Sequence, residues 1–143
     1  MSEHFRRLER MYAAAPINEF FAPRLNIPEA GVAELRMLIR PDFYHAAGAA
    51  HGAVYFKALD DVTFFAANSI VEDVFVLTVS FNLYLTRPVT EGEVIARGRV
   101  VSRSKRLFLA DGTLEDERGR EIARGSGAFM PSTTKLSDDI GYR

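Results

Sequence analysis

Residues 51–69, HGAVYFKALDDVTFFAANS, constrain the fold of this chain more than any other stretch. Ala, Leu, Phe and Val occupy nearly every face of the segment. Its strongly polar interior members are Lys57, Asp60, Asp61 and Thr63. The run has no strict strand alternation and is too long for an ordinary strand, so it reads as a helix. A helix that is apolar all round belongs inside the molecule, and something has to cover it. The sequence that follows supplies the cover. Residues 74–86, VFVLTVSFNLYLT, change to a period of two and place Phe75, Leu77, Val79, Phe81, Leu83 and Leu85 on one face. Pro88 breaks that strand, Glu91-Gly92 is a turn, and strands are predicted over 94–102, 107–115 and 122–130, with a turn at Glu117-Arg118-Gly119-Arg120. Turns recurring roughly every 12 residues indicate an antiparallel meander.

Upstream, Phe5, Leu8, Met11 and Tyr12 recur at helical spacing among Arg and Glu, which predicts an amphipathic helix over 3–15, ended by Pro16. A short helical turn is predicted from Asn18 to Phe21. Residues 24–40 read as extended in two pieces, split by the turn at Pro28-Glu29-Ala30-Gly31. Residues 42–50 are a loop, and the tail 131–143 is polar and expected to be loosely held. One long apolar helix against a mostly antiparallel sheet is an α+β layer arrangement. A sheet wrapped around a single central helix is the hotdog architecture. At 143 residues the chain is expected to be one such domain, with its core over about 24–130.

Composition narrows the chemistry. There are no cysteines, so thiolate nucleophiles and cysteine zinc sites are excluded, and three histidines leave little for a histidine metal site. The net charge is -1, from 18 basic and 19 acidic residues, which gives no global field for nucleic acid. The charged stretch MSEHFRRLERMY has no apolar core of signal-peptide type, and no run approaches the length of a membrane span. A cytoplasmic location with no membrane or nucleic-acid partner is the expectation.

The stretch HAAGAAHGAVYFKALDD, residues 45–61, resembles the signature of hotdog acyl-CoA thioesterases of the phenylacetyl-CoA (PaaI-like) type. That pattern reads approximately N-x-x-G-x-x-H-G-G, then seven residues of which the last is Asp. Gly48, His51, Gly52 and Asp60 fall at matching offsets. Thr78 stands where the family often has Ser or Thr, and LTRPV at 85–89 resembles the family's F-x-R-P. The similarity covers about residues 40–130. Two positions depart from it: the second glycine is Ala53 and the loop Asn is His45. In the family the Asn is expected to hydrogen-bond the thioester carbonyl. A histidine N–H can do the same, with a different reach and a pH-dependent charge.

The resemblance implies thioester hydrolysis with no cofactor or metal, coenzyme A being part of the substrate. Asp60 is the candidate to activate water, since a carboxylate within an apolar helix should be more basic than usual. The Gly52 N–H lies in the first turn of the helix, where the dipole favours an oxyanion. His45 could supply a second donor, and Thr78 could hold the water. His51 and Ala53, beside Gly52, are further candidates for substrate contact, His51 suiting a capping role as well. Gly52 and Asp60 are separated by roughly 12 Å of helical rise, more than one carbonyl and its attacking water can bridge. The two roles are therefore assigned to different chains of a symmetric homodimer. The resemblance implies the same sharing, often with dimers paired into tetramers. Arg87 and the cluster Arg103, Lys105 and Arg106 are candidates for the coenzyme A phosphates. Phe64, with Tyr55, Phe56 and Phe65, is a candidate lining for the acyl group. Two rival functions are an acyl-thioester dehydratase or hydratase and a non-catalytic acyl-CoA-binding module. The sequence has no H-F-P or hydratase-type motif, and it retains Asp60.

Overall fold

Phe5, Leu8, Met11 and Tyr12 are all buried on one side of α1 (Ser2–Ala14), as their spacing requires, in a computed structural model that describes residues 2–143. A single turn, α2 (Asn18–Phe21), follows. Strands β1 (Arg24–Glu29) and β2 (Val32–Leu38) form a hairpin that turns at Gly31, whose φ of 81° suits a residue without a Cβ. The long apolar segment is α3 (Gly52–Asn68), and after it come β3 (Val74–Leu85), β4 (Glu93–Arg103), β5 (Phe108–Glu115) and β6 (Glu121–Lys135). The six strands form one antiparallel sheet in the order β1-β2-β4-β5-β6-β3. Helix α3 touches every one of them. Its Ala58, Leu59, Val62 and Ala66 are fully buried, together with Leu35 and Met37 of β2 and Leu114, Ile122 and Phe129 of the meander strands. This is the α+β hotdog arrangement expected from the sequence.

The helix can approach so closely because two glycines, Gly98 and Gly112, lie beneath it, while Gly125 beside them makes room for the Phe81 ring. Gly98 pairs with Gly112, and Gly112 with Gly125, across β4, β5 and β6. Paired residues on neighbouring strands share a face. A Cβ at Gly98 would stand 2.7 Å from the Val62 carbonyl oxygen, and one at Gly112 would stand 3.0 Å from Thr63 Cγ2. The sheet thus presents a trough into which the middle of α3 settles.

Three expectations are corrected. The meander holds only for β4, β5 and β6. Strand β3 instead lies at the sheet edge beside β6, and the link from β3 to β4 passes the start of α3, where the Val89 carbonyl accepts the Ala50 N–H at 3.0 Å. The alternating residues of β3 do not share one face. The pairing with β6 shifts between Thr78 and Ser80, so Val76 and Thr78 face inward before the bulge and Phe81 and Leu83 after it. Leu77 and Val79 are left exposed. The tail is not loose from Pro131 onward. Strand β6 runs to Lys135, and Pro131 is tolerated there because pairing with β5 has already ended at Phe129. Beyond it Leu136 N–H bonds the Asp73 carbonyl at 3.0 Å, and a 3-10 turn spans Asp138–Ile140.

Candidate active site

Asp60 sits in the middle of α3, half-buried, where the helix faces the inner side of β3. Thr78 Oγ1 donates to its Oδ1 at 2.9 Å. Burial raises the Asp60 pKa above the usual carboxylate range, and the Thr78 hydrogen bond pulls it back. The neighbouring Asp61 adds to the rise, and Lys57 opposes it. Both Asp60 and Thr78 line a cavity of about 880 Å³. Phe64, one helical turn beyond Asp60, lines it too, with Phe65 and with Phe75 of β3. Phe64 and Phe75 pack with ring centroids 5.0 Å apart.

Thr78→Val is expected to raise the Asp60 pKa further, because the lost hydrogen bond favours the ionised form. A carboxyl-carbon NMR titration of both proteins checks it. A lower pKa in the folded variant would contradict the contact.

Asp61 is not solvated. It accepts the Tyr12 hydroxyl at 2.6 Å and pairs with Lys57 Nζ at 2.6 Å. Burial raises its pKa against the pull of Lys57 and Tyr12. Burial, and then the adjacent Asp61 charge, push the Tyr12 phenol up, so it stays a neutral donor. The Lys57 ammonium also lies 5.2 Å from the centre of the Tyr12 ring and 5.4 Å from that of Phe21. A basic partner for Asp61 is within what the sequence reading allows, and the Tyr12 contact lies beyond it. The spacing of Lys57 and Asp61, four residues apart on a helix, was the available signal. Tyr12 carried none.

A second group gathers at the start of α3. His51 is the N-cap, with extended backbone, and its Nδ1 accepts the Ala53 N–H at 2.9 Å. That bond occupies the Ala53 amide. Gly52 is the first helical residue, and its N–H has no partner within the helix. The loop before it turns at Gly48, φ 85°, and His45 Nδ1 accepts the Ala47 N–H at 3.0 Å. In a neutral ring this places the His45 proton on Nε2, leaving a donor there. Leu85 closes over Gly52, its Cδ1 lying 3.3 Å from where a Cβ would stand. The Arg87 side chain is exposed, and its carbonyl accepts the Tyr55 hydroxyl at 2.8 Å. Tyr55 therefore braces the β3–β4 link instead of lining a pocket. Phe56 is 40% exposed and packs edge-on to Phe81 at 5.6 Å.

The fold thus brings Asp60, Thr78 and Phe64 to one cavity, and His45, His51, Gly52, Ala53 and Arg87 to the beginning of α3. Neither Gly52 nor His45 lines the Asp60 cavity of its own chain. Arg103, Lys105 and Arg106 are exposed in the β4–β5 hairpin, where Arg103 and Lys105 border a separate depression with Ile70, Val71 and Glu72 just past the end of α3. Among the described residues, no cluster of three His, Asp or Glu side chains is placed to hold a metal ion, and no helix is long and apolar enough to cross a membrane.

The sequence matches the family pattern of the thioesterase superfamily over residues 47–123, more than half of the chain. The fold is shared with solved structures. The PaaI protein of Escherichia coli, from the phenylacetic acid degradation operon, superposes with a TM-score of 0.86 over 95% of this chain and 98% of its own, at 14% identity. A thioesterase family protein from Silicibacter pomeroyi gives 0.81 over 89% and 96%, at 26% identity. A thioesterase from Haemophilus influenzae gives 0.77 over 85% of each chain, at 15% identity. No curated protein matches the sequence closely enough to count as a relative. By its matched pattern and its shared hotdog fold, the chain belongs to the thioesterase superfamily.

Proposed function

We propose that the protein hydrolyses acyl-CoA thioesters to a free acid and coenzyme A. In this reading the Asp60 carboxylate takes a proton from water as that water attacks the thioester carbonyl. The carbonyl carbon becomes tetrahedral, and its oxygen gathers negative charge near the Gly52 N–H and the His45 Nε2–H of a partner subunit. Collapse of that intermediate breaks the carbon–sulfur bond, and the thiolate leaves and is protonated. Thr78 holds the Asp60 carboxylate in orientation. His51 acts by capping the helix that presents Gly52. The carrying observation is the half-buried, Thr78-bound carboxylate on the wall of an otherwise largely apolar cavity. Its raised pKa makes it a better proton acceptor near neutrality than an ordinary aspartate.

Sharing between subunits is part of the proposal. Gly52 and Asp60 lie roughly 12 Å apart along α3, so one chain cannot offer both to one carbonyl. Strand β3 is a 12-residue edge with Leu77 52% exposed, Val79 56% and Tyr84 71%. An edge of that length and character invites pairing with a copy. A two-fold pairing there gives two equivalent sites. Arg87, which follows β3 near the start of α3, is then a candidate cation for coenzyme A, with Arg103, Lys105 and Arg106 of the β4–β5 hairpin as further candidates.

A panel of acyl-CoA substrates, aryl ones included, read by free-thiol release, tests the activity. The sharing is tested by mixing. Asp60→Asn and His45→Ala homodimers should each lose at least about 100-fold in turnover. Subunits of the two variants, unfolded and reassembled together, should recover about a quarter of the wild-type rate. Half the dimers are then mixed, and each mixed dimer holds one intact site. Mixtures no more active than their parents would defeat the shared site, and a panel with no thiol released would defeat the hydrolase.

A further inference from the structure

The tail from Leu136 to Arg143 is tied down more firmly than anything in its composition requires. His4, buried in α1, bonds the Asn68 carbonyl through Nε2 at 3.0 Å, and its Nδ1 lies 2.8 Å from the Tyr142 hydroxyl. A carbonyl only accepts, so Nε2 carries the proton. In the neutral ring Nδ1 then accepts from Tyr142. One histidine thereby joins the tail to α1 and to the end of α3. The guanidinium of Arg7 lies 5.7 Å from the centre of the Tyr142 ring. Tyr142 N–H returns to the Ser137 carbonyl at 3.0 Å. Gly141, with φ 91°, packs against α1, a Cβ there standing at contact distance, 3.4 Å, from Met11 Cα.

This latch places Asp139, Ile140 and Gly141 on the wall of the Asp60 cavity. Met11, Ala14 and Ala15 of α1 and its following turn complete that wall, while Phe64 and Phe75 line the cavity from α3 and β3. Past Asp60 the cavity extends along α3 to Phe64 and Phe65. Of its charged members, Lys57 and Asp61 neutralise each other, while Asp60, Asp139 and Arg143 also border it. What remains for a ligand is mostly hydrocarbon and aromatic ring. A volume of about 880 Å³ is within the range of small-molecule sites, and it is finite.

We propose that the tail, through Ile140, forms the end wall that sets the longest acyl group the Asp60 site accepts. The inference rests on thioester hydrolysis at Asp60 and makes Ile140 a specificity-determining residue. The acyl group is apolar, straight-chain or aryl, and it enters beside Asp60 and Thr78. Its far end meets Ile140.

The test compares kcat/KM on saturated acyl-CoAs of increasing chain length and on phenylacetyl-CoA. Wild type, Ile140→Ala, Ile140→Trp and a chain ending at Ser137 are measured. A methylene that gains or loses its place in an apolar pocket changes kcat/KM by about 10-fold or more. Ile140→Ala should therefore move the optimum to longer chains and raise kcat/KM on the first chain that wild type rejects by about 10-fold. Ile140→Trp should move it to shorter ones. The truncated chain should act like Ile140→Ala, more strongly, and if it fails to fold the two point variants still decide. Identical length profiles in wild type and both folded variants would overturn the end wall and leave hydrolysis standing. A wild type that releases thiol from no substrate would overturn both.

Discussion

Asp60→Asn is expected to lower kcat for acyl-CoA hydrolysis by at least about 100-fold, the scale of a lost general base. Asn keeps the size of the side chain and an oxygen for the Thr78 hydroxyl, so the local hydrogen bond can survive. The fold should survive as well, and stability at neutral pH should rise. The sign follows from linkage. Burial raises the Asp60 pKa in the folded protein, so its stabilising contribution is full below the ordinary carboxylate value of 3.8 and is lost as pH climbs through the raised value. At pH 7 the ionised group therefore costs stability, and the neutral amide removes that cost. The half-exposed position keeps the gain small. Thermal denaturation beside thiol release checks both halves of the prediction. An inactive variant with a higher Tm separates loss of chemistry from loss of structure. A folded variant with full turnover would remove Asp60 from the mechanism.

Gly98→Ala is expected to destabilise the protein by about 3 kcal/mol, the upper part of the range for overpacking. Taken alone, the substitution should help. Alanine restricts the unfolded chain and gains about 0.4–1 kcal/mol where the backbone tolerates it. The new Cβ, however, would stand 2.7 Å from the Val62 carbonyl oxygen, 2.9 Å from its carbon and 3.1 Å from Thr63 N. These are helix backbone atoms, and no rotamer change moves them aside. Helix α3 is in contact with all six strands, so lifting it disturbs the core around Leu59 and Val62. Urea denaturation at fixed pH measures the difference. A loss below about 1 kcal/mol would mean that the helix can rise freely from the trough, contrary to the packing described.

The route from sequence to site was uneven, for reasons that individual residues make plain. The motif from Gly48 to Asp60 was readable because its members are fixed by local geometry. Gly48 takes a positive φ, His51 caps, and Gly52 begins the helix. His51 takes the capping role its position allows, and the bond it accepts from the Ala53 N–H fills that amide. Thr78 was placed by motif alone. Its contact with Asp60 depends on its lying before the bulge at 78–80, which shifts the inward face of β3 by one residue. Period-two reading put Leu77 and Val79 inward instead, because a bulge leaves no mark in a hydrophobic pattern. The Tyr12–Asp61–Lys57 cluster joins α1 to α3, and only its Lys57–Asp61 half is local.

The amino-acid sequence by itself determined that α3 is enclosed, that antiparallel strands enclose it and that Asp60 stands in its middle. Each of these follows from the period of apolar residues and from caps and breakers a few residues apart. Tertiary structure decided that β3 is the free edge, that Gly98 and Gly112 align into a trough, and that the tail returns to wall the cavity. Those outcomes depend on pairings between residues distant along the chain. Such pairings are chosen by the packing of the whole core, and no local stretch of sequence encodes them.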